Sequence, residues 1–387
     1  MDNRSAFLRE VMLNGPVARK EVAAQLGLNA ATMSRIAPPL IDTGLVRERI
    51  EEPGEGPVRP GPRMRLMSID PAGGLVLGIC IVQTVQTVAL ADIGRNIVDS
   101  IYSQLDDVED ADSVLRRVAH DCRRMIGAHV EDRRRLLGGL LLIIGEVEPG
   151  SGTVLNSPYM GWGSFPVRAR LSELLNLPVE VRNLTAGIAE AEMLFGAARG
   201  RRNLLMMLCG PGIGAAVIVD GRVVSGSPLR TGGIGKMDFI GEDGTVSTLD
   251  DLAAGEGILR RLHGERAAQA PPVQFDRELH RAIERDRSGD PEVAALMAGA
   301  GRELGRLVTI YAGFVRPEIV LISGALAMAP SYLAAVRDRI AEIEGPAIDV
   351  AASRVTGPEG GWWASCSMAV HEYLIQRPVR LTVVEPG

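Results

Sequence analysis

The sequence predicts an N-terminal winged helix-turn-helix followed by a two-lobed α/β body. Three observations predict it. Short helical patterns separated by glycine stops fill the first 44 residues. A Pro- and Gly-rich tip then joins two strand patterns, and from Gly74 onward a βββαβα order occurs twice in tandem.

A chain of 387 residues accommodates two or three domains at roughly 100 to 200 residues each. Hydrophobic residues at 46% and charged residues at 23% are ordinary for a folded chain and exclude disorder over most of its length. The start, MDNRSAFLREVMLNG, lacks the charged-then-apolar order of a leader, and no uninterrupted apolar run reaches about 18 residues. A cytoplasmic protein with no membrane partner is expected. The four cysteines (Cys80, Cys122, Cys209, Cys366) stand singly, and the five histidines are dispersed. Reduced, buried thiols are therefore expected, with neither a metal cluster nor a cofactor. The net charge of −6 is unevenly spread: residues 1 to 68 hold 10 Arg and Lys against 8 Asp and Glu (+2), whereas the remainder holds 32 against 40 (−8). The basic portion lies at the N-terminus, which is suggestive of a polyanion partner only alongside other signs.

Phe7, Leu8, Val11 and Met12 share one face of a first helix, which Gly15 and Pro16 end. A second helix runs from about Arg19 to Leu26 and stops at Gly27. A third follows Leu28, with Asn29 placed to cap it, and continues through Met33, Ile36, Leu40 and Ile41 to Gly44. Small and polar side chains open this third helix, the pattern of a recognition helix. Pro38 and Pro39 lie within it, so a kink is expected and the base-reading part is expected to end near Ala37. Leu45 to Ile50, the tip EEPGEGPVRPGP and Arg63 to Ile69 read as a hairpin wing. A three-helix scaffold with no DNA role fits the same periodicity. Against it stand Lys20, Arg35, Arg47, Arg49, Arg59, Arg63 and Arg65 on the helices and wing, where phosphates and base edges need cations. The DNA-contacting set is Lys20, Asn29, Ala30, Thr32, Ser34, Arg35, Arg59 and Arg63, and the partner is double-stranded operator DNA.

In the body, GLVLGICIV, VQTVALADI and Asn96 to Ser103 read as strands. A helix carrying Leu115, Val118, Cys122 and Ile126 and the buried strand LLGGLLLIIG follow. A helix near Phe165 to Leu175, the strand PVEVRN and a helix from about Thr185 to Phe195 complete the first set. LLMMLCG, GAAVIVD and GRVVSG begin the second set, which continues to EIVLISG and the last helices. The expected division is 1–69 for the DNA-binding domain, 74–190 for the first lobe and 191–387 for the second, with the C-terminal helix packing back on the first lobe.

The segments GLNAATMSRIAPPLIDTGLV, EPGSGTVLNSPYMGW, LPVEVRNLTAGIAEAEMLFG, GPGIGAAVIVDG, TGGIGKM and RPEIVLISG stand in an order that resembles the ROK family of repressors, open reading frames and kinases. The resemblance covers essentially the whole chain. It implies an actin-like, hexokinase-like (ribonuclease H-like) body, and its regulator branch carries an N-terminal winged helix-turn-helix.

The resemblance also marks departures from the family's kinases. Their first phosphate turn, D-x-G-G-T-K, is matched here by Cys80 to Thr84, without the aspartate or glycines. The second turn, Gly210, Gly212 and Gly214, reads either as a phosphate nest or as a bare hairpin turn. The Asn-Asp pair that supplies the kinases' proton acceptor is Asn183 and Leu184, and leucine accepts no proton. The histidine and cysteines of the family's structural zinc site are matched by Lys236, Gly241, Asp243 and Thr248, which cannot build a tetrahedral thiolate site. The pocket that remains comprises Gly145, Asn183, Gly232, Lys236 and Asp250. Lys236, one of only two lysines, either accepts an anionic sugar derivative, pairs with Asp250 or lies in solvent. No catalytic residue is assigned. The expected function is a transcriptional regulator, in the first instance a repressor of carbohydrate-related genes. It would sense a sugar or sugar-derived effector and assemble as a homodimer or tetramer. An ATP-dependent sugar kinase and an effector-independent dimeric scaffold are the alternatives.

Overall fold

The structure, a computed structural model, describes residues 2–50, 64–105, 110–224, 233–241, 244–342 and 347–377. Helices α1 (Asn3–Asn14), α2 (Arg19–Leu26) and α3 (Ala30–Asp42) form the head, with strands β1 (Val17–Ala18), β2 (Val46–Ile50) and β3 (Arg65–Ile69) in the order β1-β3-β2. Each helix begins and ends for a local reason. Asp2 caps α1 by accepting from Ser5 N at 2.7 Å, Gly27 closes α2 with φ of 62°, and Asn29 caps α3 by accepting from Thr32 N at 2.8 Å. The antiparallel β2 and β3 are the two sides of the wing; its tip lies outside the described residues.

Helix α3 is one continuous element from Ala30 to Asp42 with Pro38 and Pro39 inside it. The two prolines remove the donors for the Ser34 and Arg35 carbonyls, and both of those residues are exposed, so water can take the donors' place. The hydroxyl of Thr43 then donates to Pro39 O at 2.9 Å and closes the helix.

The body holds two five-stranded sheets of one design. The first contains β4 (Leu75–Val82), β5 (Val85–Asp92), β6 (Ile97–Gln104), β7 (Leu136–Ile143) and β10 (Val179–Asn183), ordered β10-β7-β4-β5-β6. The short hairpin β8 (Glu146–Val147) and β9 (Val154–Asn156) lies beside it. The second sheet contains β11 (Leu204–Cys209), β12 (Ile213–Val219), β13 (Arg222–Val223), β16 (Ile319–Ser323) and β17 (Asp349–Ala352), ordered β13-β12-β11-β16-β17. In each sheet the first three strands are antiparallel and the last two join in parallel. The third strand expected over GRVVSG is confined to two described residues, Arg222 and Val223.

Helices α4 (Ala111–His129) and α5 (Val167–Leu175) pack on the outer face of the first sheet, where Val114, Leu115, Val118, Cys122, Leu171 and Leu175 are buried. Between β13 and β16 the chain makes the hairpin β14 (Asp238–Ile240) and β15 (Val246–Thr248). Five helices follow: α7 (Leu249–Ala253), α8 (Gly255–His263), α9 (Glu265–Ala268), α10 (Pro272–Arg287) and α11 (Pro291–Val315). Helix α12 (Pro330–Ala341) leads into β17.

The helix that follows each sheet packs on the other one. Helix α6 (Leu184–Phe195), after the first sheet, lies against β11 and β12, and α13 (Pro358–His371), after the second, lies against β4, β5 and β7. The two helices also touch each other and form the layer between the sheets. Close approach is possible because Gly138 in β7 has no side chain. A Cβ there would collide with the ring of Tyr373 in the wider turn, Glu372–Gln376, that extends α13. Helix α1 packs on this same turn, and Phe7, Leu8, Val11 and Met12 share one hydrophobic cluster with Tyr373, Leu374 and Ile375. Arg199, just past α6, donates to Asn14 Oδ1 at 2.9 Å and to the Leu13 carbonyl at the end of α1. Head and body are thus joined by buried apolar contact as well as by the chain.

Candidate functional site

On the head, Ala30, Ser34 and Arg35 are exposed on the first turns of α3, Thr32 is half-buried, and Lys20 is exposed on α2. Asn29 is exposed, but its side-chain oxygen is occupied by the cap, which leaves only its NH2 group for an outside partner. The wing's charges are partly spent within the head. Arg19 and Arg65 both reach Glu48, at 2.6 and 3.7 Å, and Arg47 Nε donates to Ser68 Oγ at 3.3 Å. Lys20 and Arg35 have no carboxylate within ion-pair distance among the described residues. Arg59 and Arg63 lie outside the described residues.

In the body, Asn183 ends β10 and caps α6. Its Oδ1 accepts from Ala186 N at 3.0 Å, and its Nδ2 donates to Gly145 O at 2.7 Å. The pair Asn183 and Gly145 is therefore brought together, with both ends of the amide in use. Leu184, which the kinase comparison would need as an acid, is the first residue of α6 and is buried in the core. The turn after β4 consists of Gln83 and Thr84 alone and contains no glycine.

Lys236 and Asp250 also meet. Asp250 is fully buried; its Oδ1 accepts from Ile213 N at 2.8 Å, and its Oδ2 lies 3.2 Å from Lys236 Nζ. Burial pushes the Asp250 carboxyl up, against the pull of Lys236 and the Ile213 amide. The ammonium of Lys236 also lies 3.0 Å from Glu256. Although burial opposes its charge, Glu256 and Asp250 together hold the Lys236 pKa above its ordinary value. Of the three readings for Lys236, the structure shows the pairing with Asp250. Gly232 lies outside the described residues.

The turn Gly210-Pro211-Gly212 is used internally: Gly255 N donates to Gly210 O at 2.9 Å and Glu256 N to Pro211 O at 3.1 Å, which caps α8. Two amides at this turn are also engaged within the chain, Gly210 N with Gly212 O at 3.0 Å and Ile213 N with Asp250 Oδ1 at 2.8 Å.

Two participants escape sequence reasoning. Tyr159, from the segment before α5, reaches across to the second lobe, where its hydroxyl donates to Asp250 Oδ2 at 3.3 Å. Burial and the neighbouring Asp250 carboxylate both push its pKa up. A Cβ at Gly212 would collide with that hydroxyl, so the glycine there makes room for the tyrosine. Glu256 is the second. Neither carries a local signal, because the Tyr159–Asp250 bond spans 91 positions and no periodicity anticipates it.

The donor set does not fit the zinc that the family resemblance would bring. Lys236 is an ammonium held by two carboxylates, Thr248 accepts from the Asp251 amide as the cap of α7, and Asp243 lies outside the described residues. Among the described residues no group of three or more His, Cys, Asp or Glu side chains could hold a metal. No described helix is long and apolar enough to cross a membrane.

Comparison with known proteins accords with this geometry. A xylose repressor of Caldicellulosiruptor bescii is 25% identical over 338 residues, covering 83% of this chain and 82% of its own. The crystal structure of a ROK family transcriptional regulator, a homologue of the Escherichia coli MLC protein, superposes with a TM-score of 0.77 at 22% identity over 97% of both chains. A ROK family glucokinase from Streptomyces griseus, in complex with glucose and AMPPNP, superposes with a TM-score of 0.63 at 20% identity, covering 76% of this chain and 99% of its own. The glucokinase matches less of this chain than the regulator does. Residues 109–354 match the ROK family, and the chain belongs to that family.

Proposed function

We propose that this chain is a DNA-binding transcriptional regulator, a repressor of carbohydrate-related genes, whose sugar-kinase-like body does not catalyse phosphoryl transfer. The observation that carries the reading is the pair of free, exposed cations Lys20 and Arg35 beside the capped, polar start of α3. A recognition helix needs such groups for phosphates and base edges, and a solvated scaffold does not. The 25% identity to a xylose repressor over most of both chains supports the regulator class and a carbohydrate context.

In this reading residues 1–69 read the operator with Lys20, Asn29, Ala30, Thr32, Ser34 and Arg35, joined by Arg59 and Arg63 of the wing. Residues 74–190 and 191–387 are the two lobes, which assemble as a dimer or tetramer in the cytoplasm and take a sugar-derived effector beside Gly145, Asn183, Gly232, Lys236 and Asp250. Because the polar groups of Asn183, Lys236 and Asp250 are already bonded within the chain, an effector there must exchange internal bonds for its own. A ligand alters DNA affinity only by favouring one of two conformations, and movement of the lobes transmitted through α1 is the route this architecture offers.

The test is duplex binding with fragments from around the chain's own gene, at low salt, with the chain and with Arg35→Ala. Loss of roughly 5- to 150-fold on the cognate fragment is expected, the range for one base-reading contact. Equal affinity in both would remove α3 from the interface. An ADP-release assay over a sugar panel addresses the kinase alternative, and turnover there would reverse the assignment. A melting-temperature screen with sugars, sugar acids and sugar phosphates addresses the effector-free scaffold.

A further inference from the structure

Three arginines gather at the junction of head and body, with no carboxylate within ion-pair distance of them among the described residues. Arg95, on the β5–β6 turn, stacks its guanidinium 4.0 Å from the centre of the Phe195 ring at the end of α6. Arg354, just past β17, lies 5.8 Å from the centre of the Trp363 ring. Arg199 follows Phe195 by four residues and reaches Leu13 and Asn14 of α1. The backbones that carry Arg199 and Arg354 are held by one buried carboxylate: Glu192 accepts from Ala197 N at 2.7 Å, from Ser353 Oγ at 2.6 Å and from Arg354 N at 2.5 Å. With those bonds made, Glu192 faces amides and a hydroxyl and forms no ion pair with any of the three side chains.

Asp92, three residues before Arg95, is occupied by the Asn96 backbone and side-chain amides, and Glu10 accepts from the Asn14 amide that Arg199 also contacts. Arg199 and Arg354 are near enough to depress the Arg95 pKa by repulsion, with burial the larger cause. Stacking on a ring fixes the plane of a guanidinium and leaves its edge donors facing outward, the arrangement that suits a tetrahedral oxyanion. Three cations held close without a counter-ion repel one another, and a dianion relieves that repulsion.

We propose that Arg95, Arg199 and Arg354 form a binding site for the phosphate group of a small phosphorylated metabolite at the seam between head and body. The site is separate from the sugar-kinase cleft of Asn183 and Asp250, and its occupation is coupled to the head because Arg199 also holds the end of α1. Arg95 is partly buried and stacked, which suits a small ligand better than the outer surface of a duplex.

The experiment uses the full chain without DNA, at constant ionic strength, titrated calorimetrically with glucose 6-phosphate, inorganic phosphate and glucose. Saturable binding of glucose 6-phosphate is expected, with no binding of glucose through this site. Arg354→Gln and Arg95→Gln should each weaken it roughly tenfold, the scale of one charge-assisted bond. Arg354 is exposed, so its variant carries the test even if Arg95→Gln fails to fold. Inorganic phosphate binding as tightly as the sugar phosphate would support the site and assign the free ion as its source. Absence of saturable binding for both phosphate compounds, or binding unchanged in the Arg354 variant, would overturn it. So would an Arg354→Gln loss of duplex affinity in phosphate-free buffer that is equal for unrelated sequences, since the cluster would then be a contact to the DNA backbone. Because binding is read without DNA, failure here leaves the regulator reading standing, and failure of that reading leaves this one.

Discussion

Lys20 and Lys236 are the only two lysines in the chain, and the structure treats them in opposite ways. Lys20, on the head's second helix, stands exposed without a carboxylate partner among the described residues, as does Arg35 on the third. Lys236 in the body lies between Asp250 and Glu256, with Tyr159 closing on the same Asp250 oxygen. Lys20 is left available to an outside partner, whereas the polar groups around Lys236 bond to one another. The difference teaches that a buried carboxylate can be satisfied wholly within the chain: Tyr159 and Lys236 both bond to Asp250, while Leu184 adds apolar volume to the core.

The largest test of this contrast lies at the seam. His371 is buried beside Arg182 and Arg9, and burial first, then those two charges, lower its pKa from 6.5 to about 4. Gln376 lies 3.5 Å from its Nδ1, and Glu372 is the neighbouring carboxylate. The folded chain keeps this imidazole neutral while the unfolded chain protonates it. Its contribution is thus present above pH 6.5 and is lost as pH falls toward 4, up to about 3 kcal/mol at about 1.36 kcal/mol per pH unit. Denaturant titrations at pH 7 and pH 4.5 on the chain and on His371→Gln should show the chain losing stability more steeply than the variant; parallel profiles would refute the buried neutral ring.

Asp250→Ala comes next, at about 2–3 kcal/mol, because it strands the Ile213 amide and the Tyr159 hydroxyl. Thermal unfolding measures it, and duplex affinity of the folded fraction should stay put. Arg35→Ala should do the reverse, costing about 1–3 kcal/mol of operator binding while leaving the melting temperature unchanged. A shift in melting temperature would mean that Arg35 supports the head itself. The smallest effect is expected from Lys236→Ala. Its side chain is 62% exposed, so the two ion pairs contribute below about 1 kcal/mol. A loss well above that would show the cleft to be a stronger electrostatic unit than its exposure implies.

Much of this architecture was legible before any coordinates. Asn29 and Gly27 mark helix ends by local chemistry, and runs such as Leu75–Val82 and Leu136–Ile143 declare buried strands by composition. The grouping of Gly145, Asn183, Lys236 and Asp250 into one pocket came through family resemblance, with the Lys236–Asp250 pair one of three readings, and the bond from Asn183 to Gly145 was not anticipated. What was not legible depends on distance along the chain. The Glu192 bonds to residues 353 and 354 span more than 160 positions, and the Tyr159 bridge spans 91. Pro38 and Pro39 lie inside α3 without ending it, because the carbonyls they orphan belong to exposed residues and cost the helix less than a buried break.

The placement of α13 carries a consequence for how the chain is made. Its side chains Cys366, Met368 and Val370, with Tyr373 beyond, complete the cluster against which β4 and β7 pack, yet they lie more than two hundred residues downstream of both strands. A nascent first sheet on the ribosome has one face bare until almost the whole polypeptide has emerged. Synthesis that stops short of residue 358 leaves a truncated product with an exposed apolar sheet, a substrate for chaperones and proteases and not a smaller regulator.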